Sequence, residues 1–269
     1  MMDGTFGRTI ERAPDRDGPT GRIKFGTESN GGFKNITITN CTFDRCRGLA
    51  IETVDGGVIE DVVVNNIAMR DISNFPIYIR LGNRARGPEE STPVARIRRV
   101  SISNLTVKNA DCRYASIIAG IPGHPVEDIF LSNINIEYKG GLTIGDAANQ
   151  PEHLVNNFFT RNEPNAPRDP FDVPERIKDY PEPSTMGILP AYGFFVRHAK
   201  DVEMHNVKVT YMEEDTRVPY LFIDVDGLTF SNVKGQSPEG TPVFHMKKVL
   251  NFVPLTPLDP DRYAFPDMD

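Results

Sequence analysis

The chain has no tryptophan, and its 269 residues include only three cysteines and five histidines. Cys41, Cys46 and Cys112 make no Cys-x-x-Cys pair, and an odd count supplies no disulfide framework. Cys41 is expected to be a buried, core-filling thiol. The histidines are scattered, with no His-Glu-x-x-His spacing, so no metal or other cofactor is expected. No apolar run approaches 18 residues, so no membrane partner is expected. The residues after Met1 lack the apolar stretch of a secretory leader. The net charge is −7 and the isoelectric point about 5.3. That balance speaks against nucleic acid as a partner and leaves local basic clusters possible.

What is present is a repeated phrase: aliphatic and polar residues alternate and end on Asn. It reads Asn35-Ile36-Thr37-Ile38-Thr39-Asn40, then Asp61-Val62-Val63-Val64-Asn65-Asn66. It returns ending on Asn104, Asn133 and Asn206, and more loosely on Asn232. Successive asparagines are 26, 38, 29, 73 and 26 residues apart. A period of 26 to 29 residues built on strand alternation is the mark of a stacked β solenoid. The six asparagines are expected to form a turn ladder, each amide bonding to the next coil.

A second strand-like segment precedes each phrase: 22–27, 49–53, 77–81, 116–119, 192–197 and 220–224. Turn residues lie between, among them Asn30-Gly31-Gly32, Asp55-Gly56-Gly57 and Pro122-Gly123-His124-Pro125. The expectation is a single all-β domain, a parallel β-helix. Regular coils would occupy 21–139 and 188–235, behind an N-terminal cap or linker at 1–20. Residues 140–187 hold the 73-residue gap and many prolines, which central strands exclude. An inserted flap packed on the solenoid is expected there, carrying Phe158, Phe159, Phe171 and Tyr180. Residues 236–269, again rich in proline, are expected to cap the last coil. An open first coil near Gly21 makes a homo-oligomer possible.

The stretches Gly21 to Ile36 (GRIKFGTESNGGFKNI) and Arg47 to Gly57 (RGLAIETVDGG) resemble the polygalacturonase-type glycoside hydrolases of family 28. The resemblance runs from about Gly21 to Tyr138. It implies a right-handed parallel β-helix that cleaves pectic polysaccharide, generally with inversion, in a secreted or periplasmic setting. The family's three catalytic aspartates belong on coils before those read here. Its Gly-His-Gly motif should fall near Thr20-Gly21-Arg22, which has no His. Its Arg-Ile-Lys motif should fall at Ala50-Ile51-Glu52, where both basic residues are missing. A literal Arg22-Ile23-Lys24 occurs one coil earlier.

In the solenoid register Arg22, Lys24, Glu52, Tyr78 and Arg80 point outward from one strand face, with Lys24, Glu52 and Arg80 in a single row. Two neighbouring cations should lower the pKa of Glu52 and suit it to act as a general base. Glu28 and Asp55, at adjacent corners, are the candidate acids, since inverting hydrolysis needs two carboxyl groups about 6.5–9.5 Å apart. Arg22, Lys24, Arg47, Arg80, Arg84 and Arg86 concentrate positive charge on the first coils, suited to an acidic polysaccharide or oligosaccharide. Tyr78 and His124 are further candidate binding residues. The leading expectation is a glycoside hydrolase acting by water displacement. The alternatives are a non-catalytic glycan-binding or structural solenoid and a carbohydrate esterase. For the esterase, no Gly-x-Ser-x-Gly occurs and Ser116 lacks an evident His and Asp partner.

Overall fold

The structure, a computed structural model, describes residues 4–7, 22–88, 90, 92–155, 167–256 and 262–265. Of the cap expected at 1–20, residues 1–3 and 8–20 lie outside the described residues, as do Gly21, Phe158 and Phe159. Short and long strands alternate along the first coils. The short ones are β2 (Ile23–Phe25), β4 (Leu49–Thr53), β6 (Ile77–Leu81) and β8 (Ser116–Ala119). The long ones are β3 (Phe33–Asp44), β5 (Val58–Arg70), β7 (Arg96–Ala110) and β9 (Val126–Gly140). In β10 (Ala191–Glu213), β11 (Val218–Gly235) and β12 (Phe244–Pro254) the two segments run on as one strand. Two-residue β13 (Tyr263–Ala264) pairs with β12, and β1 (Gly4–Gly7) pairs with β3.

All these strands belong to one sheet, and neighbouring strands pair in parallel. β10 pairs with both β9 and β8, so the stack of long strands and the stack of short strands meet on it. This is the parallel β-helix that the repeat predicts. The stretch expected as a C-terminal cap contributes a further coil, β12.

The long strands turn corners without breaking their pairing because single residues adopt the left-handed conformation. One row of such residues holds Asn35, Asp61, Arg99, Asp128 and Asp201; another holds Asn40, Asn66, Asn104, Asn133, Asn206 and Asn232, all with φ between 52° and 59°. Asn and Asp tolerate this conformation best among residues with a Cβ. The repeated asparagines therefore mark the bends, and their amides form the expected ladder. Asn66 donates to Asn40 at 2.6 Å, Asn133 to Asn104 at 3.0 Å, Asn206 to Asn133 at 2.9 Å and Asn232 to Asn206 at 2.9 Å. Asn104 donates instead to Asn65, at 2.9 Å.

Inward residues stack coil on coil. Ile38, Val64, Ile102, Leu131, Met204 and Phe230 form one such column. All but Ile38, on the first coil, are fully buried. Each buried aliphatic side chain contributes about 1.5–3 kcal/mol. Toward the C-terminal end the core becomes aromatic. Phe194 stacks on Tyr220 at 5.8 Å, Tyr220 on Phe244 at 5.1 Å and Phe244 on Tyr263 at 4.7 Å. Cys41 lies at the core edge, as its position in the repeat implies.

Candidate functional site

The outward face of the short strands carries two parallel rows. The first runs Lys24, Ala50, Tyr78, Ile117, Phe195, Leu221, His245. The second runs Glu52, Arg80, Ala119, Arg197, Ile223, Lys247. Lys24 thus pairs with Ala50, two residues before Glu52, and the single Lys24–Glu52–Arg80 row read from the sequence is corrected. Strand β2 is short, and phrase lengths alone do not fix its register.

This face is not an open groove. The segment from 167 to 190 lies across it, and Val173, Met186 and Leu189 share an apolar cluster with Ala50, Tyr78, Ile117, Phe195 and Leu221. Phe171 stacks on His245 at 4.1 Å. Arg80, which points outward in the sequence reading, and Arg197 are buried beneath the segment and bind its backbone. Arg80 donates to the carbonyls of Glu175 at 2.5 Å and of Gly120 at 2.9 Å. Arg197 donates to those of Val173 at 2.6 Å and Pro174 at 3.0 Å. Glu182 accepts from Arg47 at 3.2 Å and from Asn74 at 3.1 Å. Arg47 and Arg80, read as substrate ligands, therefore anchor the covering segment. Tyr78 is buried and packs 4.6 Å from Phe75, whose ring Arg22 overlies at 5.8 Å.

Glu52 is completely buried. Lys24 ion-pairs with its Oε1, while Oε2 has no hydrogen-bond partner among the described residues. Burial pushes the Glu52 carboxyl up to about 7, against the downward pull of Lys24 and Arg22. The expected lowering is therefore reversed: the covering segment removes more hydration than the cations replace. Lys24 also donates to the Tyr180 hydroxyl at 2.8 Å, and its ammonium lies 4.8 Å from that ring. Arg84 meets the same ring at 5.7 Å.

Arg84 leads from Tyr180 to the other two carboxylates. It ion-pairs with buried Asp55 and with exposed Glu28, at 3.4 Å from the latter. The backbone N–H of Arg86 donates to Asp55 at 3.3 Å, and the Arg86 guanidinium lies 2.6 Å from Glu28. Glu28, Asn30, Asp55, Arg86 and Gly87 line an open cavity of about 270 Å³. The Gly-rich corners make this possible. A Cβ on Gly57 would meet the Ser29 carbonyl oxygen at 1.9 Å, and one on Gly32, at φ 72°, would meet that of Val58 at 2.1 Å. Bulkier residues would push these two corners apart.

The structure brings Glu28, Asp55 and Arg84 together, and it joins Lys24 to Glu52 behind Tyr180. His124 stands apart, exposed on a turn closed by mutual backbone hydrogen bonds with Ile121. One cluster escaped the sequence reading. His198 Nδ1 lies 2.5 Å from Asp224 and its Nε2 3.0 Å from Glu175. His198 and Asp224 are 26 residues apart, one coil period, and that spacing was the available signal.

Residues 24–155 match the model described as glycosyl hydrolases family 28. Over those residues, just under half of the chain, it is similar to that family. The match supports a glycoside hydrolase of the polygalacturonase family in general terms. The family 28 match includes Lys24, Glu28, Glu52, Asp55, Arg80, Arg84 and His124, and stops short of the covering segment and of His198. No curated protein and no solved structure matches the chain.

Proposed function

We propose that the chain hydrolyses a pectin-like or other acidic polysaccharide by direct attack of water at the Glu28–Asp55 cavity. A single run of contacts carries this reading: Glu52 to Lys24, Lys24 to Tyr180, Tyr180 to Arg84, and Arg84 to Asp55. It links a buried carboxyl of raised pKa to a carboxylate at an open cavity. Catalytic acids and bases are told apart by environments that drive their pKa values in different directions. Glu52, at about 7, keeps its proton at mildly acid pH and suits the general acid. Asp55, fixed by Arg84 and the Arg86 N–H, suits the base that takes a proton from water. In the reaction the water oxygen bonds to the anomeric carbon, the glycosidic C–O bond breaks, and the acid protonates the departing oxygen. Glu52 does not line the cavity, so Lys24 and Tyr180 must move aside for it to reach substrate. Arg86, beside the cavity and half in solvent, meets a substrate carboxylate.

The test is release of reducing sugar from polygalacturonate, rhamnogalacturonan and neutral polysaccharides. The expected result is cleavage of an acidic polymer by the wild type. Asp55→Asn and Glu52→Gln should each lower kcat by about 10²–10⁴, with circular dichroism unchanged. Absence of cleavage across the panel overturns the reading. Full activity of Asp55→Asn overturns the assignment of the base.

A further inference from the structure

The corner that holds Glu28 and Asp55 continues along the helix. On later coils it passes the Ile121–His124 turn and then three stacked residues, His198, Asp224 and Lys248, with φ of 48°, 55° and 53°. A second cavity of about 220 Å³ opens here, with Ile121, Pro125 and Leu250 among its apolar lining and Lys200 and Lys248 among its polar lining. His198 lies three coils beyond Asp55, about 14 Å at the spacing of parallel strands.

Charge is distributed differently in the two cavities. At the first, Arg84 and Arg86 are both held by carboxylates. At the second, the acids are engaged internally: Asp224 holds His198, and Asp226 accepts from Asn251 at 2.6 Å. Lys200 and Lys248 are exposed and make no ion pair among the described residues. The cavity thus presents two exposed ammonium groups and an aliphatic patch, with the Asp224 and Asp226 carboxylates also in its lining but hydrogen-bonded to His198 and Asn251 rather than to the lysines. Ammonium groups take carboxylates as point charges, and apolar surface accepts the C–H face of a sugar ring.

We propose that this cavity is a second binding site for a carboxylate-bearing oligosaccharide, separate from the Glu28–Asp55 cavity. The choice of a sugar acid rests on the proposed function; the location rests on the unpaired lysines. His198 is the positioning residue, since its two carboxylate contacts tie the cavity wall to Glu175 of the covering segment.

The experiment is calorimetric titration of the full chain, as Asp55→Asn to prevent turnover, with trigalacturonic acid and with a neutral trisaccharide. The expected result is salt-sensitive binding of the acid that weakens at least tenfold in Lys200→Ala/Lys248→Ala and is restored by Lys200→Arg/Lys248→Arg. Leu250→Ala should weaken it about threefold. Unchanged affinity in the double alanine variant overturns the proposal, as does equal affinity for the neutral sugar. Lysine-dependent binding together with an inactive wild type would refute the hydrolytic reading and leave the second site standing.

Discussion

Glu52 and Glu60 sit eight residues apart on one coil, and both face cations, yet their carboxyls move in opposite directions. Glu60 on β5 meets Lys34 at 2.9 Å, Arg98 at 2.7 Å and Arg99 at 2.9 Å, which hold it down at about 2. Glu52 on β4 has Lys24 and lies beneath the covering segment, and burial pushes it up to about 7. Glu60 is itself only 7% exposed, but three cations replace the hydration it loses. The short-strand face has been made interior by a piece of chain from far along the sequence. The lesson is that protonation on a solenoid face is decided by what lies over it as much as by the charges along the row.

The largest expected effect comes from releasing that cover. Arg80→Met should cost about 3 kcal/mol or more, because the carbonyls of Gly120 and Glu175 lose a buried donor. Urea denaturation reads the loss, and faster proteolysis within 167–187 locates it. A cost near zero would mean the segment is not held as described.

Next is the pH dependence of Glu52. Its folded pKa of about 7 stands above the ordinary 4.5, so its stabilising effect is complete below pH 4.5 and is lost as pH rises through 7. Relative to wild type, Glu52→Gln should gain on the order of 3 kcal/mol in stability between those limits. An equal stability difference between variant and wild type at pH 5 and pH 8, read from urea midpoints, would refute this.

Glu60 runs the other way. Its contribution is present above pH 4.5 and is lost as pH falls toward 2. Glu60→Gln should therefore differ from wild type at pH 7 and converge with it in strong acid, as thermal melts will show.

The smallest effect is on the ladder. Asn104→Ala removes an amide that bonds Asn65 and accepts from Asn133, and it places a Cβ without a polar side chain at φ 52°. The expected cost is about 1–2 kcal/mol, with Asn104→Gly closer to wild type. The reverse order would show that the amide ladder contributes little.

The repeat made the coils legible because alternation and left-handed asparagines are local properties. The segments 49–53, 77–81 and 116–119 match β4, β6 and β8 residue for residue. Glu28 and Asp55 were also legible as residues of adjacent corners, but their link through Arg84 was not. The register of Lys24 was not, because three residues of β2 leave the offset to Ala50 undetermined. Nor was the burial of Glu52 and Arg80, which depends on contacts about a hundred residues away, such as Arg80 with Glu175. The helix Ile144–Asn149, capped by Thr143 and Asp146, also escaped notice within a proline-rich stretch.

The central claim is that the covering segment, more than the cations on the strand, decides the protonation of Glu52. A carboxyl-carbon NMR titration of the folded chain, assigned with Glu52→Gln and Glu60→Gln, tests it in one experiment. The expected result is a Glu52 midpoint near 7 and a Glu60 midpoint near 2. A Glu52 midpoint at or below the ordinary value of 4.5 would contradict it.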